Sequence, residues 1–103
     1  MSESMLYWDI YEITTSGESI KGIMLRGRIR KFGIEQNINI LTENASDIKN
    51  GVRFAVLNKE HAVMVTDFVQ MLVADCTARL VLENIANPVL SKLKVNNEGR
   101  YVI

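Results

Sequence analysis

The stretch from Gly17 to Asn44, GESIKGIMLRGRIRKFGIEQNINILTEN, decides how the rest of the chain is interpreted. Gly17 and Gly22 bracket a turn, and Arg26 follows about one helical turn later. Glycines let backbone N–H groups converge on an anion, and the N-terminus of a following helix adds partial positive charge. An arginine contributes planar donors that match the oxygens of a phosphate. The pattern therefore indicates a phosphate-binding turn, although turns of this composition also occur without any ligand.

The apolar residues of this stretch are compatible with two positions for its helix. In the first, a helix from about Ile23 to Gln36 has one face made of Leu25, Ile29, Phe32, Gly33 and Gln36. In the second, residues 20–31 are a strand and a later helix has one face made of Ile34, Ile38, Leu41, Ala45 and Ile48. Both sets recur with helical spacing, so periodicity alone does not choose between them.

Strand and helix signals alternate along the rest of the chain. Aromatic and β-branched residues predict a strand over Met5–Thr15, with Leu6, Trp8 and Ile10 on one face. A short strand over Val52–Leu57 follows the turn pair Asn50-Gly51. The next helix is predicted to begin after Asn58 as N-cap and to end near Val73, with a buried stripe of Ala62, Val65, Val69 and Leu72.

The last predicted elements are strands. Thr77–Asn84 alternates, and the inward set is predicted to be Ala78, Leu80 and Leu82. Pro88 interrupts the chain, and Val89–Val95 is a candidate edge strand. The carboxylates of Asp9 and Asp47 have no partner that the sequence identifies.

Residues 17–44 resemble the signature of the acylphosphatase family, in which a strand ends in G-x-V-Q-G-V-G-F-R and a helix and a strand ending in asparagine follow. The corresponding residues are Gly17, Ile20, Lys21, Gly22, Ile23, Met24, Leu25 and Arg26. Arg26 and Asn44 are eighteen positions apart, the same separation as between the family's catalytic arginine and asparagine. The chain departs from the family by one extra residue near Glu18-Ser19 and by Met24 in place of the last loop glycine.

The resemblance extends over most of the chain, from about Tyr11 to Ile85, and it implies the fold. It favours the earlier helix and makes Ile38–Glu43 a strand. The resulting order is strand, helix, strand, strand, helix, strand. We therefore expect an α+β fold of the ferredoxin-like type (βαββαβ), with two helices on one face of a four- to five-stranded antiparallel sheet. Right-handed crossovers place strands one and three in the middle, and the other sheet face is expected to be solvated.

The resemblance also implies an activity, the hydrolysis of acyl phosphates without a cofactor or a metal. Arg26 would hold the phosphate and Asn44 would position the attacking water. The phosphate-binding residues would be Lys21, Gly22, Ile23, Met24, Leu25 and Arg26. The changes at Ser19 and Met24 support an alternative from another class, a catalytically silent module that binds an anion or a protein.

Length and composition bear on the number of domains, the class of protein and its location. The 103 residues suffice for one core, so residues 1–103 are expected to form a single domain. A hydrophobic content of 48% and a charged content of 23% are typical of a folded soluble protein. The single cysteine, Cys76, fits a reducing compartment, and no targeting or membrane-spanning pattern is visible, so a cytoplasmic location is expected.

Charge and aromatic content bear on the choice of partner. The cations of the stretch are Lys21, Arg26, Arg28, Arg30 and Lys31. They are compatible with attraction of a phosphorylated ligand, with an RNA backbone contact, or simply with the solvated face of a helix. Because the net charge is zero and only Phe54 in VRFAVL could stack on a base, the expected partner is a small phosphorylated substrate or inorganic phosphate, not nucleic acid or a membrane.

Overall fold

The computed structural model describes residues 6–15, 24–45, 47, 51–86, 88–89 and 94–95. Its first four elements are strand β1 (Tyr7–Thr14), helix α1 (Leu25–Gln36), strand β2 (Ile40–Asn44) and strand β3 (Gly51–Val56). They are followed by helix α2 (Lys59–Leu72), strand β4 (Thr77–Ala86) and the two-residue strands β5 (Pro88–Val89) and β6 (Lys94–Val95). The earlier of the two predicted helix positions is thus confirmed. The later one is wrong, because residues 40–44 form a strand.

Four strands form one antiparallel sheet in the order β2-β3-β1-β4. β3 pairs with both β1 and β2, and β4 pairs with the other edge of β1. β1 and β3 therefore occupy the centre, as predicted, and the fold is of the α+β class. From the sequence, a single edge strand is predicted over Val89–Val95. The structure instead has two short strands there, β5 and β6, which pair with each other in a separate two-stranded sheet.

Both helices pack on one face of the sheet. The buried residues of this layer are Ile13, Leu25, Ile29, Val52, Phe54, Val56, Ala62, Val65, Val69 and Cys76. The two helices contact each other through Phe32 and Phe68, whose ring centroids are 4.4 Å apart. The predicted helix faces are right except at their last positions, because Gln36 and Leu72 are exposed. Within the described residues, no helix is long and apolar enough to cross a membrane.

The second face of the sheet is also buried, so the expectation of a solvated face is wrong. Trp8, Ile10 and Ala55 form a second core cluster there, with apolar neighbours that include Leu41 and Leu82. The physical reason is visible in β3, which is apolar on both faces apart from Arg53 and is buried over its whole length. A strand with apolar side chains on both faces needs cover on both.

An irregularity in β4 explains why its predicted alternation fails. The pairing of β4 with β1 shifts register between Trp8 and Tyr11, and Asn84 has a positive φ of 56°. The Asp9 carboxylate accepts a hydrogen bond of 3.0 Å from the Asn84 N–H, so Asp9 does have a partner. As a result Leu80 lies opposite Tyr11 on the helix side, while Leu82 lies opposite Ile10 on the other face.

Helix α1 approaches β2 closely at Gly33. A Cβ atom added there would lie 2.9 Å from Cδ1 and 3.2 Å from Cγ1 of Ile40, whereas a Cβ added at Gly27 would meet nothing within 4 Å. We expect Gly33→Ala to lower the free energy of unfolding by about 1 kcal/mol, since overpacking outweighs the gain in helix propensity. Gly27→Ala in the same helix is the control and should raise it by about 0.5–1 kcal/mol. Urea unfolding measures both, and equal stability of the two variants would contradict this close packing.

Candidate functional site

Helix α1 begins without a capping side chain. Its N-cap residue is Met24, which has φ 57° and ψ 42°, and the first turn contains no acidic residue. An N-cap is usually Ser, Thr, Asp or Asn in an extended conformation, with a side-chain oxygen that accepts from the first N–H groups. Methionine cannot do this. The first turn of α1 therefore presents N–H groups that receive no cap from a described side chain, and such groups attract anions.

The conformation of Met24 is left-handed, which side chains with a Cβ adopt at a cost of about 1–2 kcal/mol. This position is the one where the acylphosphatase resemblance has a glycine, the residue that accepts a positive φ without this cost. The Met24 side chain is 74% exposed, so it gains little from packing that would offset the strain. A methionine here is thus compatible with the turn, but it makes the turn more costly.

Arg26 and Asn44 line one hollow of about 160 Å³, together with Met24, Leu25 and Gly27. At about 30 Å³ per water, this volume corresponds to roughly five water molecules, enough for a small anion. Leu25 is fully buried and anchors the first turn of α1, while the Arg26 side chain is exposed. Arg26 and Asn44, predicted as catalytic residues from different elements, therefore line the same hollow. The predicted phosphate-binding residues Lys21, Gly22 and Ile23 lie outside the described residues.

Strand pairing fixes the position of Asn44. It is the last residue of β2, lies opposite Val52 of β3 and is half-buried. Directly after it, the Ala45 N–H donates to the Gly51 carbonyl at 3.0 Å, which closes the β2–β3 connection. The predicted turn residue Asn50 lies outside the described residues. The carboxamide of Asn44 is thus carried by a paired strand end, next to the start of α1.

A buried ionic network holds the same strand connection from the other face of the sheet. The Arg53 side chain is only 2% exposed, and its Nε donates to Glu12 Oε2 at 3.0 Å. Its two terminal nitrogens donate to the Asp47 carboxylate at 2.6 and 3.1 Å. Arg79 donates to the second oxygen of Glu12 at 3.2 Å. The hydrogen bonds from Arg53 hold the pKa of the Asp47 carboxyl below its usual range.

This network was missed by sequence reasoning, which left Asp47 without a partner. The available signal was a charged residue at inward positions of two strands, Glu12 in β1 and Arg53 in β3, which lie opposite each other in the sheet. Charged residues are rarely buried unless they are paired. Since Asp47 follows Asn44 by three positions, the network fixes the segment that leaves the candidate site.

Other reactive side chains lie outside the hollow. Burial raises the pKa of the Cys76 thiol, so this cysteine is a poor nucleophile at neutral pH. The Asn58 side chain accepts from the His61 N–H at 2.9 Å, which confirms the predicted N-cap of α2. In the part of the chain that the structure describes, no three His, Cys, Asp or Glu residues are grouped so that they could hold a metal ion.

The chemistry available in the hollow is charge compensation and orientation. Its described lining offers one guanidinium, one carboxamide and the start of a helix, with no carboxylate or imidazole. These described residues can bind an anion and orient water, which suffices for a substrate whose leaving group needs no general acid or base. Comparison of the chain with family models, with curated proteins and with solved structures found no match.

Proposed function

We propose that this protein is an acylphosphatase-like hydrolase, which cleaves the carboxyl–phosphate bond of acyl phosphates. The observation that supports this most directly is the shared hollow of Arg26 and Asn44. The proposal includes a ferredoxin-like fold, supported by the strand order β2-β3-β1-β4 with a helix after β1 and another after β3. It also includes a cytoplasmic location, which the free, buried thiol of Cys76 supports.

In the proposed reaction, the phosphate oxygens accept hydrogen bonds from the Arg26 guanidinium and from N–H groups at the start of α1. The Asn44 carboxamide oxygen accepts a hydrogen bond from the attacking water and so orients its lone pair toward phosphorus, and both protons of that water end on the released dihydrogen phosphate. Cleavage of the phosphorus–oxygen bond releases a carboxylate, which leaves without prior protonation. Positioning and charge compensation therefore suffice, as is general for phosphoryl transfer. The backbone at Lys21, Gly22 and Ile23 would supply further donors, and neither a cofactor nor a metal takes part.

Hydrolysis of benzoyl phosphate tests this function. The wild-type protein should accelerate release of phosphate above the uncatalysed rate, and Asn44→Ala should lower kcat by about tenfold to a hundredfold, because the water is no longer oriented. The KM should change little, since Asn44 does not hold the phosphate. Asn39→Ala is the matched control, because Asn39 is exposed just before β2. A wild-type rate equal to the uncatalysed rate would remove the proposal, and equal kcat values for the two variants would remove the role of Asn44.

The second candidate is a catalytically silent module that binds phosphate at the same hollow. Met24 favours it, because this exposed methionine stands where the resembling signature has a glycine and adopts its left-handed conformation at a cost that glycine would not bear. This candidate predicts that inorganic phosphate shifts the amide resonances of residues 24–27 while benzoyl phosphate is not consumed. Turnover of the acyl phosphate would exclude it.

A further inference from the structure

A second hollow lies beside the first, between the same helix and the same strand. It has a volume of about 210 Å³ and is lined by Arg30 of α1 and by Ile40, Leu41 and Thr42 of β2. The Thr42 hydroxyl is buried and has no hydrogen-bond partner in the described part of the chain. β2 is an edge strand, so no further strand of the four-stranded sheet lies along its outer side.

The two hollows are separate but lie along the same seam between α1 and β2, which run in opposite directions, and we call the surface that holds both hollows the groove. Asn44 at the end of β2 lies by the start of α1, and Ile40 at the beginning of β2 lies against Gly33 near the end of α1. Arg30 and Thr42 occupy the middle. Residues four apart in a helix share a face and are separated by about 6 Å along the axis, which is the spacing between the backbone positions of Arg26 and Arg30. Thr42 and Asn44 are separated by about the same distance along the strand.

The groove carries two positive charges, on Arg26 and Arg30, that have no carboxylate partner among the described residues. Within the described ranges, no ion pair is found for Arg26 or Arg30, whereas Arg53 and Arg79 are both paired with carboxylates. Two like charges four positions apart on a helix repel each other. A ligand with one anionic group at Arg26 and a second at Arg30 would relieve this repulsion and form charge-assisted hydrogen bonds at both.

We propose that Arg30 forms a subsite for a second anionic group, so that the preferred substrates are acyl phosphates of dicarboxylic acids. The phosphate occupies the hollow of Arg26 and Asn44, the carbon chain lies along β2, and the distal carboxylate pairs with Arg30. Succinyl phosphate has about the required length. The preference among substrates rests on the proposed hydrolase function. The preference for binding a ligand with a second anionic group does not require turnover.

Two inert phosphonates test the subsite directly. 5-Phosphonopentanoate has a phosphonate and a carboxylate at the spacing of succinyl phosphate, and pentylphosphonate replaces the carboxylate by a methyl group. Calorimetric titration of the wild-type protein should give a Kd at least about tenfold lower for the first compound, which is the effect of one hydrogen bond between charged groups. The preference should shrink as salt is added. Arg30→Gln should abolish it, while Lys31→Gln, which changes an exposed cation outside both hollows, should retain it.

Equal affinity for the two phosphonates, or no measurable binding of either, would overturn the subsite. A preference that persists in Arg30→Gln would overturn its assignment to Arg30. Hydrolysis of succinyl phosphate and of butyryl phosphate is measured separately with the same proteins. If neither is hydrolysed, the proposed enzyme activity fails, but the phosphonate titrations still decide whether the groove recognises a second anion.

Discussion

Replacing Arg53 by methionine is expected to lower the free energy of unfolding by about 3 kcal/mol, the largest stability loss that the structure predicts for a single charged residue. Arg53 is 2% exposed and donates to both Glu12 and Asp47. Breaking a buried ion pair from one side costs about 3–5 kcal/mol, because the remaining charge stays buried without its partner. The low end applies here, since Arg79 still donates to Glu12 in this variant. Urea unfolding monitored by Trp8 fluorescence measures the loss.

Arg79→Met is the matched control for this prediction. It also removes a guanidinium that donates to Glu12, but the Arg79 side chain is 70% exposed, so the change should cost less than about 1 kcal/mol. The double variant Glu12→Leu with Arg53→Met removes both buried charges and should recover part of the loss. Equal effects of Arg53→Met and Arg79→Met would show that burial does not govern the network.

The same network gives the stability a defined pH dependence. Because the pKa of Asp47 is lower in the folded protein than in the unfolded chain, its ion pair stabilises the fold above the unfolded pKa. That contribution is lost as the pH falls through the folded pKa, that is, in acid below the usual range of aspartate. Asp47→Asn removes the titrating group, so the stability of this variant should depend less on pH in that acidic range.

The order of helices and strands could be predicted from sequence because each element has its own local signal. Asn58 acts as N-cap, and the stripe of Ala62, Val65 and Val69 is buried at helical spacing. The position of α1 was a different case, since two periodic patterns overlapped in residues 23–48. The end of α1 decides between the two patterns. Asn37 has a left-handed φ of 56°, and the Ile38 N–H donates to the Gly33 carbonyl at 3.0 Å. This pair of features is a Schellman ending, and Asn can adopt it almost as glycine does.

The buried second face and the ion network could not be predicted in the same way. Glu12 and Arg53 are 41 positions apart, and only strand register places them opposite each other. The pairing of β4 with β1 also contains register shifts, which no local sequence pattern indicates. The expectation that Arg26 and Asn44 share one site came from the family resemblance, because their eighteen-residue separation by itself is compatible with many geometries. The strain at Met24 likewise became visible only through its φ angle.

Arg26→Ala is expected to lower kcat/KM for benzoyl phosphate by about a thousandfold, the largest effect on activity. Arginines that stabilise a transferring phosphoryl group contribute about 10³–10⁵-fold in rate, and the exposure of Arg26 places it at the low end. A thousandfold loss corresponds to about 4 kcal/mol of transition-state stabilisation. Both kcat and KM should worsen, because the guanidinium binds the phosphate before and during the reaction. This pattern differs from that of Asn44→Ala, in which the loss lies in kcat alone.

Two further variants separate charge from geometry at this position. Arg26→Lys keeps the positive charge but has no pair of parallel donors, so its kcat/KM should lie between those of wild type and Arg26→Ala. Lys31→Ala removes an exposed cation from the same helix outside the hollow, and its activity should stay within about twofold of wild type. If Lys31→Ala and Arg26→Ala lose activity equally, the effect comes from the overall charge of α1. A loss confined to Arg26 requires contact with the phosphate, because long-range attraction would not distinguish two cations of one helix.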